Sequence, residues 1–327
     1  MLPPKTPIDR RRFVIAGLLA GTSGLALAQE WPTRPVRFIV PFPPGGGTDT
    51  FARPLAAKLS SQVGQQILLD NRAGAGGTVG ADAAAKSPAD GYTFLVGAVH
   101  HTVAVTAYRK LGYSLQKDLV PITGIAYVPD VLVVNNAVPA KAVQEFIAWC
   151  KANPGKVNFG SSGLGTTRHL AGEIFNARTG SSMLHIPYKG SGPAMTALLG
   201  GEIQAIFEGL GSAASHIRAG KIRALAVTST GRAPAFPDIP TTAEAGLPGF
   251  ESLSWYGLWS PAGTPPAAIA RMQSAVARAF ESQDLRDIWF QQGAEVGGES
   301  TERFAALVQS EIEKWGKAVR DTSLTMD

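Results

Sequence analysis

The chain has 327 residues, 45% hydrophobic and 17% charged, with a formal net charge of +5. That is enough for one large or two medium folded cores, and the 37 glycines and 23 prolines punctuate periodic segments rather than form a low-complexity tract. Lys5 and Arg10 to Arg12 against Asp9 give residues 1–28 a charge of +3, leaving +2 for the rest; the basic balance is no argument for a nucleic-acid partner, and the one cysteine, Cys150, excludes an internal disulfide.

Arg10-Arg11-Arg12-Phe13 precede a mildly apolar run, Val14 to Leu25, followed by Ala26-Leu27-Ala28. Basic region, short apolar core and small-x-small end describe a secretory signal cleaved after Ala28. Arg10-Arg11-x-Phe13 also fits a twin-arginine signal, with Asp9 where Ser or Thr is usual. Gly17, Gly21, Thr22 and Gly24 dilute the run too far for a permanent membrane anchor. The mature protein is expected to be soluble and exported.

The apolar run Val36–Val40 predicts a strand, Pro41 to Thr50 a glycine-rich loop, and the periodicity of Phe51 to Leu59 a helix. Gly45, Gly46 and Gly47 leave backbone N–H groups open to a ligand, and the helix start adds a partial positive charge, so the expected guest is an anion. Asp49 is expected mainly to cap this helix. The pattern continues with a strand at Gln66–Leu69, a second glycine loop at Asn71–Gly77, a helix over Thr78–Lys86, and a strand at Tyr92–Val96 that leads into a loop carrying His100 and His101.

The same series then restarts. A helix is expected over Val138–Ala152, with Cys150 on its buried face, then a strand at Lys156–Phe159 and a loop at Gly160–Thr166. A helix over Thr167–Arg178, a strand at Met183–Ile186, the loop Tyr188–Pro193, a helix over Ala194–Leu199 and a strand at Ala205–Phe207 ending at Glu208 follow. Strand, glycine loop, helix, twice over in each half, predicts two similar α/β lobes with parallel, doubly wound sheets. Leu132–Val134 and Leu253–Trp259 are candidate crossings between them. Beyond the second crossing, Thr264-Pro265 reads as an N-cap with proline at N1, followed by amphipathic helices carrying Met272, Val276 and Phe280, then Phe304, Val308 and Trp315. A tail returning to the first lobe makes the second an insertion on two hinge strands. The expected boundaries are 1–28 signal, 29–130 with 254–327 for the first lobe, and 131–253 for the second.

Several motifs carry a family resemblance. Trp31-Pro32-x-Arg34-Pro35, the Val40–Asp49 loop, Asn71-Arg72-x-Gly74-Ala75-x-Gly77 and Pro187-Tyr188-Lys189-Gly190 resemble the Bug family, receptors of tripartite tricarboxylate transporters. So do Arg223–Thr228, Pro240-Thr241-x-x-Glu244-Ala245-Gly246 and Trp255-x-Gly257-x-x-x-Pro261-x-Gly263-Thr264-Pro265. The resemblance covers nearly all of the mature chain. It implies a type II periplasmic binding fold, a small di-, amino- or aromatic carboxylate as ligand, the large and small membrane subunits as partners, a periplasmic location and no catalytic set. A monomer without cofactor or metal is expected.

On that reading Phe42, Gly45, Gly46, Gly47, Thr48 and Asp49 hold the ligand from one lobe, and Ser161, Ser162, Gly163 and Thr166 from the other. Hydrogen bonds to a charged group contribute about 1.5–3 kcal/mol each, so a few of them, discounted for desolvation and closure, reach the roughly −8 kcal/mol of a micromolar ligand. Backbone dipoles would also spare the cleft a buried arginine. His100 or His101, Tyr188 and Glu208 are the candidates for reading the rest of the molecule; many relatives carry Asp where this chain has Glu208. Arg168 stands beside the anion site or is a solvated charge, and Trp255, Tyr256 and Trp259 are expected in the hinge core. Adjacent histidines on a strand point apart, which argues against a metal pair.

Other classes find little support. Gly160-x-Ser162-x-Leu164 breaks the nucleophile-elbow pattern, no Gly-Lys is followed by Ser or Thr, and no G-x-G-x-x-G follows the first strand. A periplasmic sensor acting on a membrane signalling protein would use the same cleft; an exported enzyme is the weaker alternative.

Overall fold

The computed structural model describes residues 31–321, so the expected signal segment lies outside the described residues. Among those described, no helix is long and apolar enough to cross a membrane.

In the first lobe β1 (Val36–Val40) lies parallel between β2 (Ile67–Asn71) and β3 (Thr93–Ala98). Successive side chains of a strand point to opposite faces. Val36, Phe38 and Val40 accordingly join a core with Phe51, Leu55 and Leu59 of α1 (Gly47–Val63), whereas Ile39 joins another with Leu95, Trp259 and Phe304. Helices α2 (Thr78–Ala85) and α3 (His100–Ala107) complete this unit. After α4 (Val143–Ala152), the second lobe repeats the plan: β5 (Asn158–Ser161) lies parallel to both β6 (Leu184–Pro187) and β7 (Ala205–Gly209). Its helices are α5 (Thr167–Thr179), α6 (Ser191–Gly200) and α7 (Leu210–Arg218).

The all-parallel expectation needs one correction, because each set of three strands is bordered by an antiparallel crossing strand. β4 (Leu119–Asn135) is 17 residues long and serves both lobes. Up to Pro129 it pairs with β9 (Leu253–Pro261); from Asp130 onward it pairs with β7, and from Val131 also with β8 (Ile222–Val227). The strand order is β2-β1-β3-β9-β4-β7-β5-β6, so the second-first-third arrangement recurs on either side of the crossing pair. β4 and β9 thus occupy the places expected for two hinge strands.

The tail returns to the first lobe. Met272, Val276 and Phe280 of α8 (Pro266–Phe280) join the core beneath α1. A short α9 (Gln283–Gln291) and β10 (Glu295–Val296) follow, and α10 (Thr301–Asp321) packs Phe304, Val308 and Trp315 with Val103 and Ala107 of α3.

Three local expectations are corrected. α4 begins at Val143 rather than Val138, since Pro139 removes a donor and keeps its predecessor extended; the carbonyls of Val138 and Ala140 instead accept from Arg223 Nη1 at 2.9 and 3.0 Å. α8 begins at Pro266 with Pro265 as its N-cap, and the Thr264 hydroxyl donates to the Pro261 carbonyl at 2.7 Å instead of capping. His100 and His101 open a helix rather than lie in a loop, and their rings pack 3.9 Å apart instead of diverging. Cys150 is buried, as is the Trp255-Tyr256-Trp259 run.

Candidate functional site

The loop after β1 is fixed from within. The Asp49 carboxylate accepts from the Gly45 N–H at 3.1 Å and pairs with Arg53 at 2.7 Å. Asn71, at the end of β2, donates to the Phe42 carbonyl at 2.9 Å. Gly46 is the N-cap of α1, and the first-turn N–H groups behind it have no carbonyl within the helix to meet. Asp49 therefore braces the loop from the first turn and is not the cap residue.

The loop after β5 is braced in a similar way. Thr166 caps α5 by accepting from the His169 N–H, and its hydroxyl donates to the Gly163 carbonyl at 2.8 Å. Ser161 Oγ hydrogen-bonds His185 Nε2 at 2.7 Å. His185 and His169 stack at 3.8 Å behind the loop, and the Gly165 N–H donates to His169 Nδ1 at 3.3 Å. Burial lowers His169 to about 4 and His185 to about 3, so both rings are neutral at ordinary pH.

Between the two loops lies a small pocket of about 10 Å³, lined by residues of both lobes and of β9. Such a volume holds about one water molecule. Of the expected site residues Phe42, Gly46, Gly47, Thr48, His100 and Ser162 border it; Ser191, Ser254, Tyr256 and Arg168 border it as well. Phe42 and Ser162 also border an outer cleft of about 340 Å³, together with Gly163, Tyr188, Lys189 and the 74–77 turn. The lobes touch at this rim, where the Tyr108 hydroxyl donates to the Ala75 carbonyl at 2.9 Å and reaches the Leu164 carbonyl of the other lobe at 3.5 Å.

The remaining expected site residues border neither space. Gly45 lines a separate groove beside α7 and α9. Asp49, Ser161 and Thr166 shape the loops, as above. His101 is fully buried, with Nδ1 3.3 Å from the Tyr113 hydroxyl, so of the histidine pair it is His100 that faces the pocket. Glu208 is buried behind Arg168: its Oε1 accepts from the Gly209 N–H at 2.9 Å and the Ser212 hydroxyl at 2.8 Å, and lies 2.8 Å from Arg168 Nη2.

Arg168 overturns the expectation of a cleft without a buried arginine, for it is only 7% exposed. Burial opposes its charge, but Glu208, Tyr256 and Asp130 outweigh that and hold its pKa above the ordinary arginine value. The sequence signal was present but divided. One arginine in the first turn of α5 and one glutamate near the end of an apolar strand are separated by 40 positions, and only the fold pairs them.

Residues with unpaired buried polar atoms also border the pocket. His100 Nε2, Ser162 Oγ and Arg168 Nε are buried without a hydrogen-bond partner, and all three residues border it. An unmet buried polar group costs about 1–3 kcal/mol, more when charged. Larger surface grooves, of about 520 and 450 Å³, contain at most one such atom, Gln292 Oε1. Burial, with His101 and Arg168 nearby, keeps His100 well below the usual histidine range and therefore neutral.

Two α/β lobes on a pair of crossing strands, meeting over a small pocket bordered by unpaired polar groups, define a periplasmic-type solute-binding protein. The sequence profile of the tripartite tricarboxylate transporter family receptors, TctC, matches residues 51–324, and the chain belongs to that family. It is 40% identical over 317 residues to protein BugT of Bordetella pertussis, covering 95% of this chain and 97% of that one. Among solved structures, R. palustris Rpa4515 with adipate is 38% identical with a TM-score of 0.87, over 90% of this chain and 99% of that one. MatC from Rhodopseudomonas palustris with bound malate is 34% identical with a TM-score of 0.84, over 88% and 100%.

Proposed function

We propose that this protein is an exported receptor that closes on a small carboxylate and delivers it to the large and small membrane subunits of a tripartite transporter, without catalysing a reaction. The observation that carries this reading is that His100, Ser162 and Arg168, from both lobes, border one pocket while His100 Nε2, Ser162 Oγ and Arg168 Nε are buried with no hydrogen-bond partner among the described residues. A carboxylate supplies acceptors to several donors at once, and hydrogen bonds to a charged group are the stronger kind. The first-turn N–H groups behind Gly46 would add to the set. Two structural neighbours were solved with adipate and with malate, both dicarboxylates, which supports the class of ligand. Lobe boundaries of 29–130 with 254–327 and 131–253 agree with the switch of β4 partners after Pro129.

Entry needs the lobes to part, because the inner pocket has room for about one water. A thermal-shift screen with mono-, di- and aromatic carboxylates is the direct test. Binding to the folded state alone raises stability by about 2.7 kcal/mol at a ligand concentration of 100 times Kd, so a rise of several degrees is expected for at least one dicarboxylate. A rise with sugars or nucleotides and none with carboxylates refutes the reading.

A further inference from the structure

Among the described residues, Arg168 is the only charged side chain that borders the inner pocket. Its counter-ions lie behind it. Glu208 Oε1, 2.8 Å from Nη2, already serves the Gly209 N–H and the Ser212 hydroxyl, and Glu208 does not border the pocket. Asp130, whose charge also acts on Arg168, is fully buried and accepts from the Ser252 and Ser254 hydroxyls at 2.5 and 2.6 Å. The two acids balance the guanidinium without offering the ligand a carboxylate. The other polar groups round the pocket are the neutral His100 ring and the hydroxyls of Thr48, Ser162, Ser191, Ser254 and Tyr256.

An ammonium group carried beside the bound carboxylate would thus lose its water, face a guanidinium and meet no anionic partner. A hydrogen atom or a hydroxyl in its place meets no such opposition. We propose that Arg168, with Glu208 as its buried counter-ion, is a specificity-determining residue that admits plain or hydroxylated carboxylates and rejects the α-amino acid of the same skeleton. The proposal rests on the carboxylate reading above and narrows its ligand class. Removing the guanidinium would uncover Glu208 and turn the same pocket toward ammonium.

Calorimetric titration with succinate against aspartate, glutarate against glutamate and adipate against 2-aminoadipate tests this on the wild-type protein. In every pair with a detectable binder, the unaminated acid is expected to bind at least 20-fold more tightly. Arg168→Gln should weaken the plain acid at least 10-fold and shrink the gap to threefold or less, whereas Arg168→Lys, which keeps the charge, should preserve a gap of 10-fold or more. Equal affinity within a pair for the wild type overturns the proposal whether or not the variants fold. A gap that survives Arg168→Gln, in protein with wild-type circular dichroism, also overturns it. If neither member of any pair binds and no other carboxylate shifts the melting temperature, the carboxylate reading itself has failed.

Discussion

At the scale of single residues, adjacent glycines have different jobs. A Cβ on Gly47 would lie 2.1 Å from the Tyr256 hydroxyl, which no small adjustment relieves. A Cβ on Gly46 would meet Ser191 Cβ at 3.7 Å, an ordinary contact across the lobes, and its backbone is extended. Gly47→Ala is therefore expected to displace Tyr256 from the pocket, costing about 1–3 kcal/mol of stability and at least 10-fold in carboxylate affinity. Gly46→Ala should change affinity less than threefold. Titration of both variants checks the contrast, and equal behaviour would remove Gly47 from the account of the site. Gly77 is similarly constrained: a Cβ there would stand 2.6 Å from His100 Nε2, one of the unpaired polar atoms.

Among the elements, β4 and β9 join the two lobes. Asp130 lies where β4 changes partners, and it ties the crossings together through Ser252 and Ser254, while its carbonyl accepts from the Thr228 N–H at 2.8 Å. The same carboxylate helps to balance Arg168. Asp130→Ala leaves two buried hydroxyls without acceptors and the arginine with less compensation, for an expected loss of about 3–5 kcal/mol. Asp130→Asn keeps the shape and an acceptor and should cost about 1–3 kcal/mol. Urea denaturation measures both, and a loss below about 1 kcal/mol for alanine would show that the hinge does not depend on this carboxylate.

For the whole molecule, buried neutral histidines set a pH dependence. His101 and His185 are lowered to about 3 and His169 to about 4, mainly by burial, and His100 is lowered in the same direction. In the unfolded chain each titrates near 6.5. Between pH 6.5 and about 4 the unfolded chain therefore holds more protons, so stability falls as pH falls, by up to about 1.4 kcal/mol per unit for each ring. Above pH 7 these groups make no difference. Denaturation midpoints at pH 7.5, 6 and 5 should decline below 6.5, and an unchanged midpoint at pH 5 would contradict the buried neutral state. Two of these rings stand behind the second-lobe loop, so its shape and the overall stability are expected to fail over the same range.

Much of this arrangement is local in the chain and hence readable from it. Apolar runs punctuated by glycine loops fix the strands and helices and their repetition in two halves, because period and turn chemistry act within a few residues. Ser162, His100 and the Gly46–Thr48 turn follow from lying at the ends of those strands. What stayed hidden depends on contacts between distant segments. Arg168 and Glu208 come from different elements, Tyr256 serves both core and pocket, and His101, though its ring packs against His100, is fully buried beside the Tyr113 hydroxyl. The glycine turn after Val40 was visible as a place for an anion. Only the packed structure decided that a compensated arginine stands opposite it, because the cost of burying that charge is met by residues far away in sequence.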